Sequence, residues 1–123
     1  QIEVLYSYLD IIELDLHFAS NSAEILERDK EELDRLYERL SNNSLTQIEL
    51  ASHTDSIGSD ESNMRLSQRR SNSVKKYLVE KGIDENRIIA KGYGEKEPKE
   101  SNKYPAGRAI NRRTEVRSVV KNK

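Results

Sequence analysis

The first part of the chain alternates apolar and polar residues with the period of a β-strand that is buried on one side. The alternation sets Ile12, Leu14, Leu16 and Phe18 against Glu13, Asp15 and His17. We therefore predict a first strand that reaches about Phe18, with residues 4–9 as an earlier strand or a tail. Similar stretches predict strands over residues 46–53, 87–93 and 114–119, and a tail over residues 121–123.

Two longer segments place apolar residues three and four positions apart, which is the spacing of one helix face. The first follows the helix-capping residue Asn21 and runs to about Leu40. The second runs from about Ser62 to Glu80 and stops at Gly82, a common helix terminator. The order βαβαββ predicts an α/β (α+β) fold, a mixed sheet with helices packed on it. Strands joined through a helix should be parallel, and the last two strands antiparallel.

The composition excludes several classes of protein. At 123 residues, with 34% hydrophobic and 35% charged residues, the chain has the length of one domain and a modest core. Its net charge of −1 gives no general attraction to nucleic acid, and no apolar run is long enough to cross a membrane. Cysteine is absent, which leaves no disulfide and no thiolate chemistry. Because numbering opens at Gln1, we expect a mature or excised fragment, and the missing signal peptide does not indicate a compartment.

One arginine of the second predicted helix lies where an apolar residue is expected. Leu66, Val74 and Leu78 recur on one helix face, and Arg70 stands in the middle of that face. Its neighbour Arg69 falls on a polar face and should be solvated. A buried guanidinium keeps its charge and needs a counter-charge, from the chain or from a ligand.

Asp55 is the nearest acidic residue on the loop that precedes this helix. An Asp and an Arg that converge at the carboxyl end of a strand can bind a group carrying both an ammonium and a carboxylate. The same two residues can also form an internal salt bridge that fixes the loop, and residue types alone favour that simpler interpretation.

The sequence offers little for catalysis, so we predict that this is not an enzyme. It has no nucleophile-elbow serine, no full glycine-rich nucleotide loop and no pair of histidines at metal-ligand spacing. The acidic loop over residues 54–62 does not follow the calcium-binding pattern either. We therefore predict neither a metal nor a cofactor.

A second basic cluster follows a predicted helical turn at residues 108–111. In strand alternation Arg112 shares a face with Thr114 and Val116, so Arg112, more than Arg113, is expected to lie under a helix. The spacing leaves open whether Arg112 pairs with a carboxylate or with helix carbonyls, or serves a ligand.

Several spaced motifs occur in one order along nearly the whole chain, from about Ile11 to Val116. They include His53-Thr54-Asp55-Ser56, Gly58, Asn63, Leu66, Arg70, Gly92-Tyr93-Gly94, Gly107-Arg108 and Asn111-Arg112-Arg113. This pattern resembles the OmpA-like C-terminal domain family.

The resemblance implies a periplasmic, outer-membrane-associated module that binds peptidoglycan without catalysis. It would anchor an outer-membrane protein, a lipoprotein or another envelope assembly to the cell wall, and would reach the membrane only through a part of the parent protein that precedes Gln1. Its ligand would be the diaminopimelate side chain of the stem peptide, whose free end carries an ammonium and a carboxylate. Asp55 and Arg70 match the two key positions of the family. Residues that match pocket-lining or supporting positions less firmly are Asn21, Thr54, Asn63, Leu66 and Arg112.

We assign residues 11–123 to this domain and residues 1–10 to an N-terminal extension or an extra strand. The alternative function is an envelope protein–protein interaction module on the same fold, without cell-wall binding. Three positions depart from the family pattern: Ser52 replaces a usual Gly, Ser71 a usual Ala, and Thr114 a usual apolar β-branched residue. These departures bear on the shape of the pocket, not on its two key charges.

Overall fold

The computed structural model describes the backbone of residues 5–43 and 46–122, and the side chains of residues 11–43 and 46–119. The strands are β1 (Leu5–Leu14), β2 (Gln47–His53), β3 (Ile88–Gly94) and β4 (Arg113–Asn122). The helices are α1 (Lys30–Ser41), α2 (Asp60–Lys81) and α3 (Pro105–Asn111), with 3₁₀ turns at Glu27–Asp29 and Glu85–Arg87.

The four strands form one mixed sheet in the order β1-β4-β2-β3. Strands β2 and β3 are parallel, with α2 as the crossover between them, whereas β4 is antiparallel to both β1 and β2. The predicted α/β class with a mixed sheet is therefore confirmed. The last two strands do run in opposite directions, but they are not neighbours, because β4 lies inside the sheet and α3 precedes it.

The end of the first strand and the end of the last strand both differ from the predicted limits. Strand β1 ends at Leu14 and not at Phe18, because carboxylates take the next backbone N–H groups: Asp15 donates to Glu32 Oε2 (2.9 Å) and His17 to Asp29 Oδ2 (2.7 Å). The predicted tail at the other end is wrong for residues 121–122, which pair with the start of β1.

Strand β1 runs through position 10, although its pairing with β4 shifts register between Tyr8 and Ile11. The division at residues 10 and 11 is therefore not marked by a gap between elements and stays a prediction. Val4 and Lys123, which belonged to the predicted first strand and tail, lie outside the described residues.

The hydrophobic core lies between one face of the sheet and the two longer helices. Leu33 of α1, Leu50 of β2 and Val74 and Leu78 of α2 are fully buried there. Ile48 of β2 is buried in the same core. Because α2 must pack on β2 and β3 to bury this face, the sheet fixes where the polar residues of α2 lie.

Three buried hydroxyl side chains join this interface near the end of β2. Ser71 Oγ on α2 donates to Ser52 Oγ at 2.7 Å and lies 3.0 Å from the carbonyl oxygens of Leu50 and Lys91. Ser52 Oγ in turn lies 3.1 Å from Thr114 Oγ1. These are the three positions that depart from the family pattern, and they satisfy one another's hydrogen bonds in a dry site.

We expect Ser52→Ala, Ser71→Ala and Thr114→Val each to cost about 1–2 kcal/mol in unfolding free energy, because each leaves a buried hydroxyl with fewer partners. The triple variant should cost clearly less than the sum, since it removes the group of hydroxyls together. Urea unfolding of the wild type and the four variants tests this. Additivity within about 0.5 kcal/mol would show that the three hydroxyls are not coupled.

Candidate functional site

An open cavity of about 640 Å³ lies at the carboxyl end of β2, where the chain leaves the sheet and turns into α2. Its lining combines four arginines with one aspartate and a few apolar side chains. The residues lining it are Leu16, His17, Phe18, Ser20, Asn21, Arg28, His53, Thr54, Asp55, Ile57, Asn63, Leu66, Arg70, Arg112, Arg113 and Thr114. Ligands of open α/β sheets generally bind at this end of the strands.

The loop between β2 and α2 is held in place by hydrogen bonds from both sides. Thr54 N donates to Gly94 O at 2.8 Å, which extends the contact with β3 beyond the end of the strand. Asn63 Nδ2, one turn into α2, lies 3.3 Å from Asp55 O and 3.1 Å from Ile57 O. Ser59 caps the helix, with its Oγ accepting from Ser62 N. Asp55 is therefore fixed before any ligand arrives.

Arg70 is buried, with a relative exposure of 9%, whereas Arg69 is exposed, as the helix pattern predicts. Arg70 Nε donates to Ser22 O at 2.8 Å, and Arg70 Nη2 donates to Ala19 O at 3.0 Å. The Arg70 guanidinium lies 5.0 Å from the centroid of the Phe18 ring. Within the described residues it makes no ion pair. Burial, followed by the nearby Arg112 and Arg69, lowers the pKa of Arg70 below its ordinary value, and Asp55 opposes this shift.

The turn that receives Arg70 lies between β1 and the first 3₁₀ turn. Ser22 N donates to Ala19 O at 3.0 Å, and Asn21 takes a positive φ of 54°, a conformation that asparagine tolerates better than most residues. Arg70 thus connects α2 to this turn and brings Asn21 to the cavity wall.

The simpler interpretation of Asp55, an internal salt bridge to Arg70, is wrong. Asp55 Oδ2 instead accepts from Arg112 Nη1 at 2.7 Å, and its Oδ1 accepts from Ile57 N at 3.0 Å. The side chain of Asp55 is 11% exposed and that of Arg112 is 49% exposed. The pair therefore lies at the wall of the cavity with one side in solvent.

Arg113, and not Arg112, is the buried member of the arginine pair. The side chain of Arg113 is 5% exposed and donates through Nε to Glu115 Oε2 at 2.9 Å. Arg112 does not lie under a helix, but it does pair with a carboxylate, which was one of the alternatives left open by the sequence.

A charged network that is buried except at its edge, where Glu97 is half-exposed, lies on the sheet face opposite the long helices and was not predicted from the sequence. Arg117 Nη2 contacts Glu115 Oε1 at 2.9 Å and Glu97 Oε1 at 3.0 Å. His53 is 2% exposed, stacks on Tyr93 with ring centroids 5.1 Å apart, and has its Nε2 3.4 Å from Glu115 Oε1. We call these five residues the rear network.

The rear network also contains an unsatisfied atom. His53 Nδ1 is buried and has no hydrogen-bond partner among the described residues. Burial first, then the Arg113 and Arg117 charges, lower the pKa of His53 to about 4, although Glu115 and Glu97 act in the opposite direction. Because His53 directly precedes the Thr54-Asp55 loop, this network supports the floor of the cavity.

The cavity brings together all seven residues that the sequence nominated: Asn21, Thr54, Asp55, Asn63, Leu66, Arg70 and Arg112. Sequence reasoning did not select Phe18 or Arg28, although both line the cavity. Phe18 was assigned to the first strand, and Arg28 lies in the segment predicted as the first helix. Their positions follow from the early end of β1, which no local pattern marks.

The cavity lining places guanidinium donors and an aspartate together, and these are the groups that a ligand carrying both charges requires. Within the part of the chain that the structure describes, no group of three or more His, Cys, Asp or Glu residues has the arrangement of a metal site. No helix among the described residues has the length and apolarity needed to span a bilayer. Fold and cavity together define an α/β domain with a cationic cleft at the end of a parallel strand pair.

Sequence comparison assigns this domain to a protein family. A family model described as the OmpA family matches residues 17–112. Outer membrane porin F of Pseudomonas fluorescens is 41% identical over 105 residues, covering 85% of this chain and 32% of the porin. Outer membrane protein A of Bordetella avium is 40% identical over 109 residues, covering 89% of this chain and 56% of that protein. The chain belongs to the OmpA family, and it spans only about a third to just over half of these relatives.

Solved structures agree with this assignment. A MotB-like protein from Desulfovibrio vulgaris has a TM-score of 0.79 at 26% identity, covering 94% of this chain and 72% of that one. The cell wall anchor of the T6SS from Pseudomonas aeruginosa has a TM-score of 0.75 at 31% identity, covering 92% of this chain and 80% of that one. The resemblance stated from the sequence motifs is confirmed.

Proposed function

We propose that this domain binds peptidoglycan without catalysis, and that it anchors an outer-membrane protein, a lipoprotein or another envelope assembly to the cell wall. The bound group is the zwitterionic end of the diaminopimelate side chain of the stem peptide. One observation carries the proposal: Arg70 is buried at a cavity wall, keeps its charge, and has no carboxylate partner among the described residues. A ligand carboxylate supplies the missing counter-charge.

Arg70 retains the donors that a carboxylate needs. Its Nε and one Nη2 hydrogen bond to the backbone carbonyls of Ser22 and Ala19, and these contacts fix the plane of the guanidinium. A guanidinium has five N–H donors, so the Nη1 group and the second Nη2 hydrogen remain available. A planar donor pair of this kind suits a carboxylate better than a point charge does.

Asp55 provides the opposite charge for the ligand ammonium. Each of its oxygens accepts one hydrogen bond, from Ile57 N or from Arg112 Nη1, and a carboxylate oxygen can accept a second. Arg112 orients the carboxylate and is exposed enough to shift when the ammonium docks. In this arrangement Arg112 positions Asp55, while Asn63 holds the loop on which Asp55 lies.

The relatives support this proposal in general terms. Two of them are named as outer membrane proteins, and a solved structure at 31% identity is the cell wall anchor of a secretion system. These relatives support an envelope location, and we propose that the domain lies on the periplasmic side of the outer membrane, with another part of a longer parent protein as its membrane link.

We expect Asp55→Ala and Arg70→Ala each to weaken binding to purified sacculi by about one to two orders of magnitude. Each removes one charge-assisted contact, worth roughly 1.5–3 kcal/mol. Co-sedimentation with sacculi measures the effect. Arg69→Ala is the matched control, because Arg69 is the exposed neighbour on the same helix.

Two further reagents keep this test independent of folding. Asp55→Asn keeps the shape of the side chain and removes its charge, so a loss of binding with unchanged circular dichroism points to the charge itself. A lysine-containing stem peptide lacks the side-chain carboxylate and should compete poorly. Equal retention of all variants on sacculi, with folding intact, contradicts the proposal.

The second candidate is an envelope protein–protein interaction module on the same fold. It is favoured by two exposed apolar side chains near α3 that do not line the cavity, Tyr104 (60% exposed) and Ile110 (47%). Calorimetry with a diaminopimelate-containing peptide separates the two functions. Saturable heat supports cell-wall binding, and absence of heat at millimolar peptide supports the interaction module.

A further inference from the structure

Arg28 is a second arginine of the cavity wall that has no counter-charge. It lies in the 3₁₀ turn at Glu27–Asp29, its residue is exposed, and it lines the same cavity as Asp55 and Arg70. It makes no ion pair within the part of the chain that the structure describes. Carboxylates three or four residues away can pair with an arginine on a helical turn, and Arg28 has such neighbours without pairing with any of them among the described residues.

Most carboxylates near Arg28 along the chain are engaged elsewhere, and Glu24, four residues before it, forms no ion pair with it among the described residues. Glu27 pairs with Lys30 at 2.8 Å, and Glu31 and Glu32 pair with Arg35 at 3.1 Å and 2.8 Å. Asp29, the next residue, turns away into the protein, where its two oxygens hold His17 N and His17 Nδ1, each at 2.7 Å. The local charge pattern therefore leaves the Arg28 guanidinium unneutralised while it neutralises the other basic residues nearby.

The backbone that carries Arg28 is held against the cavity wall. Asp29 is 3% exposed, and its contacts to His17 join the 3₁₀ turn to the segment that contributes Leu16, His17 and Phe18 to the lining. Arg28 is thus presented from a fixed position, although its own side chain is solvated. A fixed backbone limits the entropy that is lost when the side chain binds a ligand group.

The charge balance of the cavity points to a ligand with more than one carboxylate. Arg112 is neutralised by Asp55 at 2.7 Å and Arg113 by Glu115 at 2.9 Å. Arg70 and Arg28 remain, so two guanidinium groups of the lining have no carboxylate among the described residues. A zwitterionic side-chain end supplies one carboxylate, at Arg70, and the cavity is larger than that group requires.

We propose that Arg28 forms a second anion subsite, which binds a main-chain carboxylate of the same stem peptide. The inference rests on the proposed function and deepens it, because it assigns the site a ligand with two separated carboxylates. Arg70 and Asp55 select the side-chain end of the peptide, and Arg28 selects a free acid, not an amide, on its backbone.

The experiment is calorimetry of the wild-type domain and the Arg28→Gln variant with three peptides. The parent is alanyl-γ-glutamyl-diaminopimelate, which has two carboxylates besides the zwitterionic end, one on glutamate and one at the C-terminus. The other two peptides carry one of these groups each as a carboxamide. Arg39→Gln is the control, since Arg39 is an exposed arginine of α1 outside the cavity lining.

We expect Arg28→Gln to weaken binding of the parent about two- to fivefold, the size of one exposed ion pair, and Arg39→Gln to leave it unchanged. For one of the two amides, the variant and the wild type should bind equally, and that amide identifies the carboxylate. Equal losses on all three peptides, no loss on the parent, or the same loss with Arg39→Gln would each overturn the subsite. If wild type binds none of the peptides, the proposed function itself fails.

Discussion

Glu115→Ala should lower the free energy of unfolding by about 3–5 kcal/mol, because it removes the carboxylate partner of two buried arginines, Arg113 and Arg117. Glu115 is 5% exposed and accepts from Arg113 Nε and Arg117 Nη2, both at 2.9 Å. Burial raises the pKa of Glu115, but the hydrogen bonds from Arg113 and Arg117 outweigh it, and its pKa lies below the ordinary value. Urea unfolding at neutral pH measures the loss.

The matched control for Glu115 is Glu13→Ala. Glu13 is the register partner of Glu115 across the β1–β4 pair, and it also has an ion pair, to Lys99 at 3.4 Å. Its side chain is 53% exposed, so its loss should cost no more than about 1 kcal/mol. A similar cost for the two variants would mean that the rear network contributes no more than a solvated ion pair.

The network matters for the site because it holds the residues next to the ligand groups. His53 precedes the Thr54-Asp55 loop, and Arg113 follows Arg112, so both partners of the Asp55–Arg112 pair are one or two residues from a buried side chain that contacts Glu115. Glu115 contacts both His53 and Arg113. Glu115 therefore links the two strand ends from which Asp55 and Arg112 extend.

Arg70, the most informative residue of the site, could be found from the sequence because its helix is regular. Over the 22 residues of α2, the 3.6-residue period places Arg70 between Leu66 and Val74, and the structure buries all three. The helical period does not predict which atoms Arg70 contacts. Its acceptors, Ala19 O and Ser22 O, are backbone atoms about fifty residues away, and any residue types can provide them.

Arg112 shows where strand alternation fails. The residue lies between the last turn of α3 and the first residue of β4, with φ −77° and ψ 96°. The two-residue period begins only at Arg113, so the side chain of Arg112 need not follow the face of Thr114. The side-chain direction of a single residue that joins a helix to a strand cannot be predicted from the period of either element. For this reason Arg112, and not Arg113, was predicted to be the buried arginine.

The rear network was missed because a strand with alternating Glu and Arg has the appearance of a solvated face. Its burial depends on the strand order. Strand β4 lies between β1 and β2, so Glu115 and Arg117 have neighbours on both sides, including Glu49 on β2, which lies 3.4 Å from Arg117 Nη1. The chain order places β4 last and gives no sign that it is inserted in the sheet.

Acidification should destabilise the domain through His53. In the folded state its pKa is about 4, against an ordinary value of 6.5. As the pH falls below 6.5, His53 of the unfolded chain binds a proton, whereas His53 of the folded protein binds one only near pH 4. The stability that neutral His53 contributes is therefore fully present above pH 6.5 and is lost between pH 6.5 and pH 4. The loss should reach about 2 kcal/mol at pH 5 and about 3 kcal/mol once the window is crossed.

The difference in unfolding free energy between wild type and His53→Gln, followed from pH 7 to pH 4.5, isolates this effect. Wild type should lose stability more steeply than the variant, because glutamine keeps a polar side chain and does not titrate in this range. His17→Gln is the control for the other histidine, which lies at the surface. Parallel pH profiles for wild type and His53→Gln would mean that His53 accepts a proton as readily when folded as when unfolded. Burial and the neighbouring Arg113 and Arg117 would then not disfavour the charged form of His53.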